Sequence, residues 1–259
     1  TDLGEMDEVV SSINHLVDST VKAIEEERKI EKSKDELITN IGHDIRTPLT
    51  SVIGYLGLIE NQQYHSQEEL ARYAHVAYRK AQQMQSLVQD LFTYTATRQT
   101  TTEIKPVQVQ VLRFMEQLVA DFELNAREKA IELRLDIRPQ NLLASFDVDK
   151  MARVFHNLLS NALKYGAGAH YIELLAYQEE DYIYFKVKND GQPLDKTELE
   201  DIFQRSYRAD QSRSANQPGT GLGLAIVRNI VELHHGRVYA TVEGKETIFT
   251  IEIPQKSPQ

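Results

Sequence analysis

The sequence predicts a chain in two parts, an all-α helical hairpin followed by an α+β two-layer sandwich. Three observations predict it. Up to about Thr97 the chain carries one proline, and its apolar residues recur at alternating steps of three and four. A threonine-rich, apolar-poor stretch over 94–105 then runs into Pro106, the composition of a linker. Beyond it, short alternating apolar runs are interleaved with helical periodicity, as in a mixed sheet with helices on one face.

The elements follow in order. Leu3, Met6, Val10, Ile13, Val17, Thr20 and Ile24 have the seam spacing of a coiled coil, and the charged run 25–34 continues that helix as a solvated stretch. Ile38, Ile41, Ile45, Leu49, Val52, Leu56 and Ile59 resume the seam. The polar segment 61–66 breaks it, and Ser66 followed by Glu69 signals a capping box opening the next helix. That helix carries Leu70, Tyr73, Ala77, Ala81, Met84, Val88 and Leu91. Two striped helices on a short connection cannot bury both faces alone. Pairing two hairpins into a dimeric four-helix bundle satisfies them, the alternative being packing against the second part of the same chain. After the linker, the pattern predicts helices over 111–128, 148–165 and 222–234. Strands are predicted over 131–137, 142–146, 171–177, 182–188, 237–242 and 247–253. The division is therefore a coiled-coil helix over 1–32, a hairpin domain over 33–98, a linker over 99–106 and a sandwich domain over 107–256.

Bulk properties exclude several classes. The 259 residues suit about two domains, and 41% hydrophobic content supports a core. A net charge of −10 argues against nucleic acid as a partner. With no cysteine, disulfide scaffolds, thiolate metal sites and thiol catalysis are excluded. No apolar run approaches the roughly 18 residues that span a bilayer, and no signal peptide is visible. The chain opens mid-pattern without Met, which predicts a portion of something longer.

Four segments carry candidate chemistry. In Gly42-His43-Asp44-Ile45-Arg46-Thr47-Pro48-Leu49, His43 falls between seam positions and should face solvent. A neutral imidazole has a free lone pair near neutral pH, and Asp44 is placed to orient the ring or take its proton. Pro48 has no N–H for the carbonyl of Asp44, so a bend is expected there. A solvated surface histidine is the bland alternative. Asn157 and Asn161 lie one turn apart on a helix face, and amide oxygens suit Mg²⁺ that keeps waters and bridges to phosphates. Lys164 could reach a phosphate and Tyr165 could stack on a base, although two polar residues on an amphipathic helix need no ligand. Asp190-Gly191 should form a turn after a strand. Gly219-Thr220-Gly221-Leu222-Gly223 leads into a helix whose first N–H groups can meet phosphate oxygens. Before it, the polar run 209–218 has the composition of a lid or a plain loop.

Each segment alone admits an ordinary structural reading; their order does not. The octet at His43 resembles the phosphoacceptor box of two-component sensor histidine kinases, His-Glu-Leu-Arg-Thr-Pro-Leu, with Asp44 for Glu and Ile45 for Leu. The run 155–165 resembles the same family's Asn-box, and Asp201-Ile202-Phe203-Gln204-Arg205-Ser206-Tyr207-Arg208 resembles its Ile-Phe-x-Arg-Phe-Tyr-Arg box, with Ser206 for Phe. The resemblance implies a Bergerat-type ATP-binding fold for the sandwich, with ATP and Mg²⁺ as ligands. It implies that Asp190 accepts from the adenine amino group, with Gly191 beside it and Pro193 in place of a second glycine. Arg205 and Arg208 would neutralise phosphate charge. Thr47 with Asp44 would hold a water for removing phosphate from the partner. The implied partners are a second copy of the chain and a response-regulator receiver domain. Residues 3–16 also resemble the end of a HAMP signal-relay module, which implies the cytoplasmic portion of a bacterial cell-membrane protein, touching the membrane only through segments absent here. The expected activity is ATP-dependent protein-histidine kinase. A conformational ATPase of the gyrase or chaperone type, or a non-catalytic dimeric scaffold, is the alternative.

Overall fold

The structure, a computed structural model, describes residues 2–97, 103–166, 168–195, 199, 201–203 and 221–255; in the first helix the side chains of residues 2–14, 23, 26, 27 and 29–38 lie outside that description. The chain divides into two compact units, Thr1–Leu87 and Val88–Gln259.

The first unit is helical. Helix α1 (Asp2–Glu60) runs unbroken through Pro48, and α2 (Gln67–Thr97) follows a short turn. That turn closes as a capping box. Ser66 Oγ accepts the Glu69 backbone N–H at 3.1 Å, and the Glu69 carboxylate reaches back to the His65 N–H at 2.9 Å. Tyr55 and Tyr73 pack ring to ring across the hairpin at 5.6 Å, and Ile41, Pro48 and Ala77 of the same unit are buried. Much of the apolar stripe stays open in a single chain: Leu49, Ile53 and Leu56, at helical spacing, are 40%, 63% and 51% exposed.

The second unit begins inside α2, ahead of the threonine-rich stretch. The Asp90 carboxylate pairs with Arg153, and Asn229 Nδ2 donates to Thr97 Oγ1 at 3.3 Å, which ties the last turns of α2 to this unit. Its elements are β1 (Val107–Gln110), α3 (Val111–Glu128), β2 (Glu132–Arg138), β3 (Leu143–Phe146) and α4 (Val148–Tyr165). Then come β4 (Tyr171–Glu179), β5 (Tyr182–Asn189), α5 (Gly223–Leu233), β6 (Arg237–Glu243) and β7 (Glu246–Pro254). The main sheet has the order β2-β4-β5-β7-β6, with β2 parallel to β4 and the remaining pairs antiparallel. β1 and β3 form a separate antiparallel pair.

The helices cover one sheet face. Ile172, Leu174 and Ala176 of β4 and Ile183, Phe185 and Val187 of β5 are buried, while the alternate residues of each strand retain solvent. Against them α4 lays Met151, Val154, Phe155, Leu158, Leu159 and Ala162. Phe114, Phe146, Phe155 and Phe185 meet edge to face at 5.1–6.1 Å, and the fully buried Phe146, Phe155 and Phe185 each contribute about 1.5–3 kcal/mol by burial. This stripe fixes the rotation of α4 and so decides where its asparagines point.

A buried histidine locks α4 to α5. The Asp147 backbone N–H donates to His234 Nε2 at 3.0 Å, so the other ring nitrogen carries the proton and donates to the Ile230 carbonyl at 2.8 Å. Burial lowers the His234 pKa, outweighing the bond to Ile230 and the charge of Asp147. The unfolded chain takes up a proton near pH ~6.5 that the folded ring resists, so this stability is complete above that pH and lost as pH falls below it. His234→Leu is expected to cost about 2–3 kcal/mol at neutral pH, because two buried backbone groups lose their partner. It should also flatten the fall in melting temperature between pH ~7.5 and ~5.5. A variant that melts with the full wild-type pH dependence would assign that dependence elsewhere.

Candidate functional site

His43 stands on α1 with its side chain 76% exposed. Its Nδ1 lies 3.8 Å from Asp44 Oδ1, beyond a hydrogen bond but within charge-interaction range. Thr47 Oγ1 donates to the His43 carbonyl at 3.4 Å, which places the hydroxyl one turn along the same exposed face. An imidazole, a carboxylate and a hydroxyl thus share one short segment of α1.

The remaining candidates that the structure describes lie within the second unit. Asn157, Asn161 and Lys164 form a stripe along α4, away from its apolar contacts. The start of α5 abuts this stripe: a Cβ on Gly223 would lie 3.2 Å from Asn157 Oδ1. Gly221, at φ +63°, takes the left-handed turn into α5, and fully buried Leu222 anchors it. Leu222, at the N-cap position, offers no side-chain cap to α5, and the first-turn N–H groups of a helix suit an anion. Asn157 Nδ2 is buried and has no hydrogen-bond partner among the described residues. An unmatched amide between α4 and the start of α5 fits a site completed by a ligand and its water shell. Among the described residues no three His, Asp or Glu side chains gather into a metal cage, so a divalent ion here would rest on amide oxygens, water and ligand phosphate.

Asp190 closes the other end. Its Oδ1 accepts the backbone N–H groups of His170 at 2.7 Å and Tyr171 at 3.1 Å, and its Oδ2 lies 3.0 Å from His170 Nδ1. Burial works to raise the carboxyl pKa, but these bonds outweigh it and hold Asp190 below the usual carboxylate range. Gly191 follows in direct backbone contact with Gly166 at the end of α4. A Cβ on Gly191 would come within 2.7 Å of Gly166 Cα and C, and one on Gly166 within 2.4 Å of the Ala162 carbonyl. The two glycines let the Asp190 turn and the asparagine helix touch. The turn beyond, with Pro193 in it, is pinned to β7 where the Leu194 N–H reaches Thr247 Oγ1 at 3.4 Å.

Lys164 and Tyr165 sit at the exposed end of α4, where Lys129 Nζ caps the Leu163 carbonyl at 2.5 Å. Surrounding protein atoms desolvate the Lys164 ammonium although much of the side chain meets solvent. That desolvation, with the Lys129 charge, lowers its pKa against the opposing pull of Asp90. Arg205, Gly219 and Thr220 lie outside the described residues, as do Ser206, Arg208 and the polar run 209–218. Sequence reasoning passed over Gly166 and His170. A glycine that ends a helix looks like a routine terminator, and a lone histidine at a strand start gives no signal until its partner across the fold is known.

Comparison with known proteins yields three family matches. Residues 33–99 match the His Kinase A (phospho-acceptor) domain and residues 146–257 the histidine kinase-, DNA gyrase B- and HSP90-like ATPase family, while residues 1–25 match the HAMP domain of a fungal histidine kinase. Sensor protein VanS of Enterococcus faecium is 32% identical over 252 residues, which cover 96% of this chain and 65% of VanS. Sensor protein VanSC of Enterococcus gallinarum is 32% identical over 248 residues, covering 96% of this chain and 68% of that protein. Sensor histidine kinase WalK of Bacillus subtilis (strain 168) is 31% identical over 239 residues, covering 91% of this chain but 39% of WalK. The chain thus spans from about two-fifths to about two-thirds of these relatives. Among solved structures, histidine kinase AdeS of Acinetobacter baumannii aligns with TM-score 0.68 at 20% identity, covering 83% of this chain and 98% of that one. Histidine kinase ThkA in complex with response regulator protein TrrA aligns with TM-score 0.68 at 19% identity, covering 86% and 62%. At such identities these two likenesses speak for the fold alone. No described helix is long and apolar enough to cross a membrane.

Proposed function

The chain belongs to the two-component sensor histidine kinases, and from that premise we propose that it phosphorylates its own His43 from Mg·ATP and passes the phosphoryl group to an aspartate of a response regulator. Nε2 of His43 attacks the γ-phosphorus, the bond from phosphorus to the β,γ-bridging oxygen breaks, and ADP leaves; Asp44 steadies the ring through Nδ1 and takes up its proton. Asn157 and Asn161 would hold Mg²⁺, which supplies charge neutralisation at the phosphates. Asp190 receives the adenine amino group beside Gly191. Lys164, Arg205 and the cradle Gly219, Thr220, Gly221, Leu222 and Gly223 receive the phosphates, and Tyr165 flanks the base.

The observation that carries this reading is the meeting at Asn157, where a buried amide with no partner among the described residues lies against Gly223 at the start of α5. A solvated helix face would leave no such atom buried. The exposed stripe Leu49, Ile53 and Leu56 supports a homodimer through the hairpin, because a second copy gives these side chains the apolar cover a lone hairpin lacks. Asp44 and Thr47 also support a phosphatase role, orienting water toward the regulator's phosphoaspartate. The domain limits follow as a signal helix over 1–32, a phosphotransfer domain over 33–98, a linker over 99–106 and an ATP-binding domain over 107–256. We place the chain on the cytoplasmic side of a bacterial cell membrane, anchored through segments outside this sequence.

Incubation with γ-labelled ATP and Mg²⁺ separates the readings. Label retained on the chain supports the kinase. ATP turnover without label points to a conformational ATPase, and absence of nucleotide binding points to a scaffold.

A further inference from the structure

We propose that His170 is a positioning residue for the nucleotide base: it fixes the Asp190 carboxylate so that a single acceptor site, on Oδ2, is left for the 6-amino group of adenine. An ionised carboxylate offers about four lone-pair sites, two on each oxygen. Two backbone N–H groups, from His170 and Tyr171, fill Oδ1 at 2.7 and 3.1 Å. The ring nitrogen of His170 takes one site on Oδ2 at 3.0 Å. Among the described residues nothing else bonds to Asp190, so the fourth site is the open one and lies beside the imidazole.

The direction of that bond follows from the charge on its partner. Asp190 has no proton to give, so His170 Nδ1 must be the donor, in the neutral and the protonated ring alike. The backbone of His170 is itself fixed, since its carbonyl accepts the Glu132 N–H at 2.9 Å where β2 and β4 begin their parallel pairing. One residue therefore grips both carboxylate oxygens, by main chain and by ring. Its side chain is 86% exposed, so truncating it leaves no cavity in the core. What truncation removes is the restraint on carboxylate rotation, together with the definition of which lone pair faces the base. An all-acceptor group held this way favours a 6-amino substituent and repels a 6-oxo group, so the ring contributes to base specificity and leaves phosphate binding alone.

This inference rests on the proposed adenine role of Asp190, and the test keeps the two apart. Calorimetric titration of the full chain would compare the Mg²⁺ complexes of ATP and of purine riboside 5′-triphosphate, which lacks the amino group. Wild type is expected to bind ATP about tenfold more tightly than the analogue or better. His170→Ala should lose about fivefold or more in ATP affinity while its affinity for the analogue stays within about twofold, and His170→Asn, whose amide N–H can replace the ring donor, should recover most of the loss. A His170→Ala protein that still discriminates as wild type does, or that loses both ligands equally, overturns the inference while leaving Asp190 as the adenine acceptor. A wild type that binds both ligands equally overturns the adenine role of Asp190, and the inference with it.

Discussion

Replacing His43 with glutamine is expected to abolish transfer of the γ-phosphoryl group to the chain, by about 10³-fold or more, while Mg·ATP affinity stays within about twofold. Glutamine keeps the polarity and helical preference of the site but has no nucleophilic nitrogen, because its amide lone pair is delocalised into the carbonyl. The ring is 76% exposed and its closest charged neighbour, Asp44, is 3.8 Å away, so neither packing nor a strong ion pair is lost. The effect should be confined to chemistry. Filter-bound label and a nucleotide titration on the same preparation check it. Wild-type labelling in His43→Gln would place the acceptor on another residue, whereas a parallel loss of ATP affinity would mean that the substitution had disturbed the fold.

Asn161→Ala is expected to weaken Mg·ATP binding by about 100-fold and to remove labelling, with the dimer unchanged in sedimentation. Asn161 is the better probe of the pair. Asn157 is wedged against Gly223 with a buried amide, so its truncation would mix ligand loss with repacking at the start of α5. Asn161 lies one turn on along the polar stripe of α4, whose opposite face carries the core, and its loss should cost less than about 1 kcal/mol of folding stability. Labelling at a normal rate in Asn161→Ala would remove the metal role from this helix.

Most of the scaffold was legible because periodicity and packing agree. Helices α3 and α4 have the expected ends, and most strand ends fall within a residue or two of the alternating runs that announced them. β1 was missed. Val107–Gln110 is four residues long, leads directly into a helix, and becomes a strand only by pairing with β3 more than thirty residues later. The parallel β2–β4 pairing is likewise a tertiary choice that no local pattern states.

The site was legible unevenly, for a related reason. Asn157 and Asn161 declare themselves by helical spacing, and Gly221 by its place before a helix. Gly166 and Gly191 matter through a backbone contact between separate segments, and His170 through a carboxylate twenty residues away. Such roles are relations between residues distant in the chain, and composition around each one is ordinary. The adenine role proposed for Asp190 rests on the family resemblance, since an Asp-Gly turn alone signals only a turn. The structure adds the three bonds that orient its carboxylate.

The central claim is that a nitrogen of His43 becomes bonded to phosphorus, and the chemical stability of the label tests it most directly. After incubation with γ-labelled ATP and Mg²⁺, the chain is divided between acid and base before counting. A phosphoramidate at His43 predicts label that is lost in acid, kept in base, and absent from His43→Gln. Label that survives acid, or ATP turnover with no label on the chain, would contradict it.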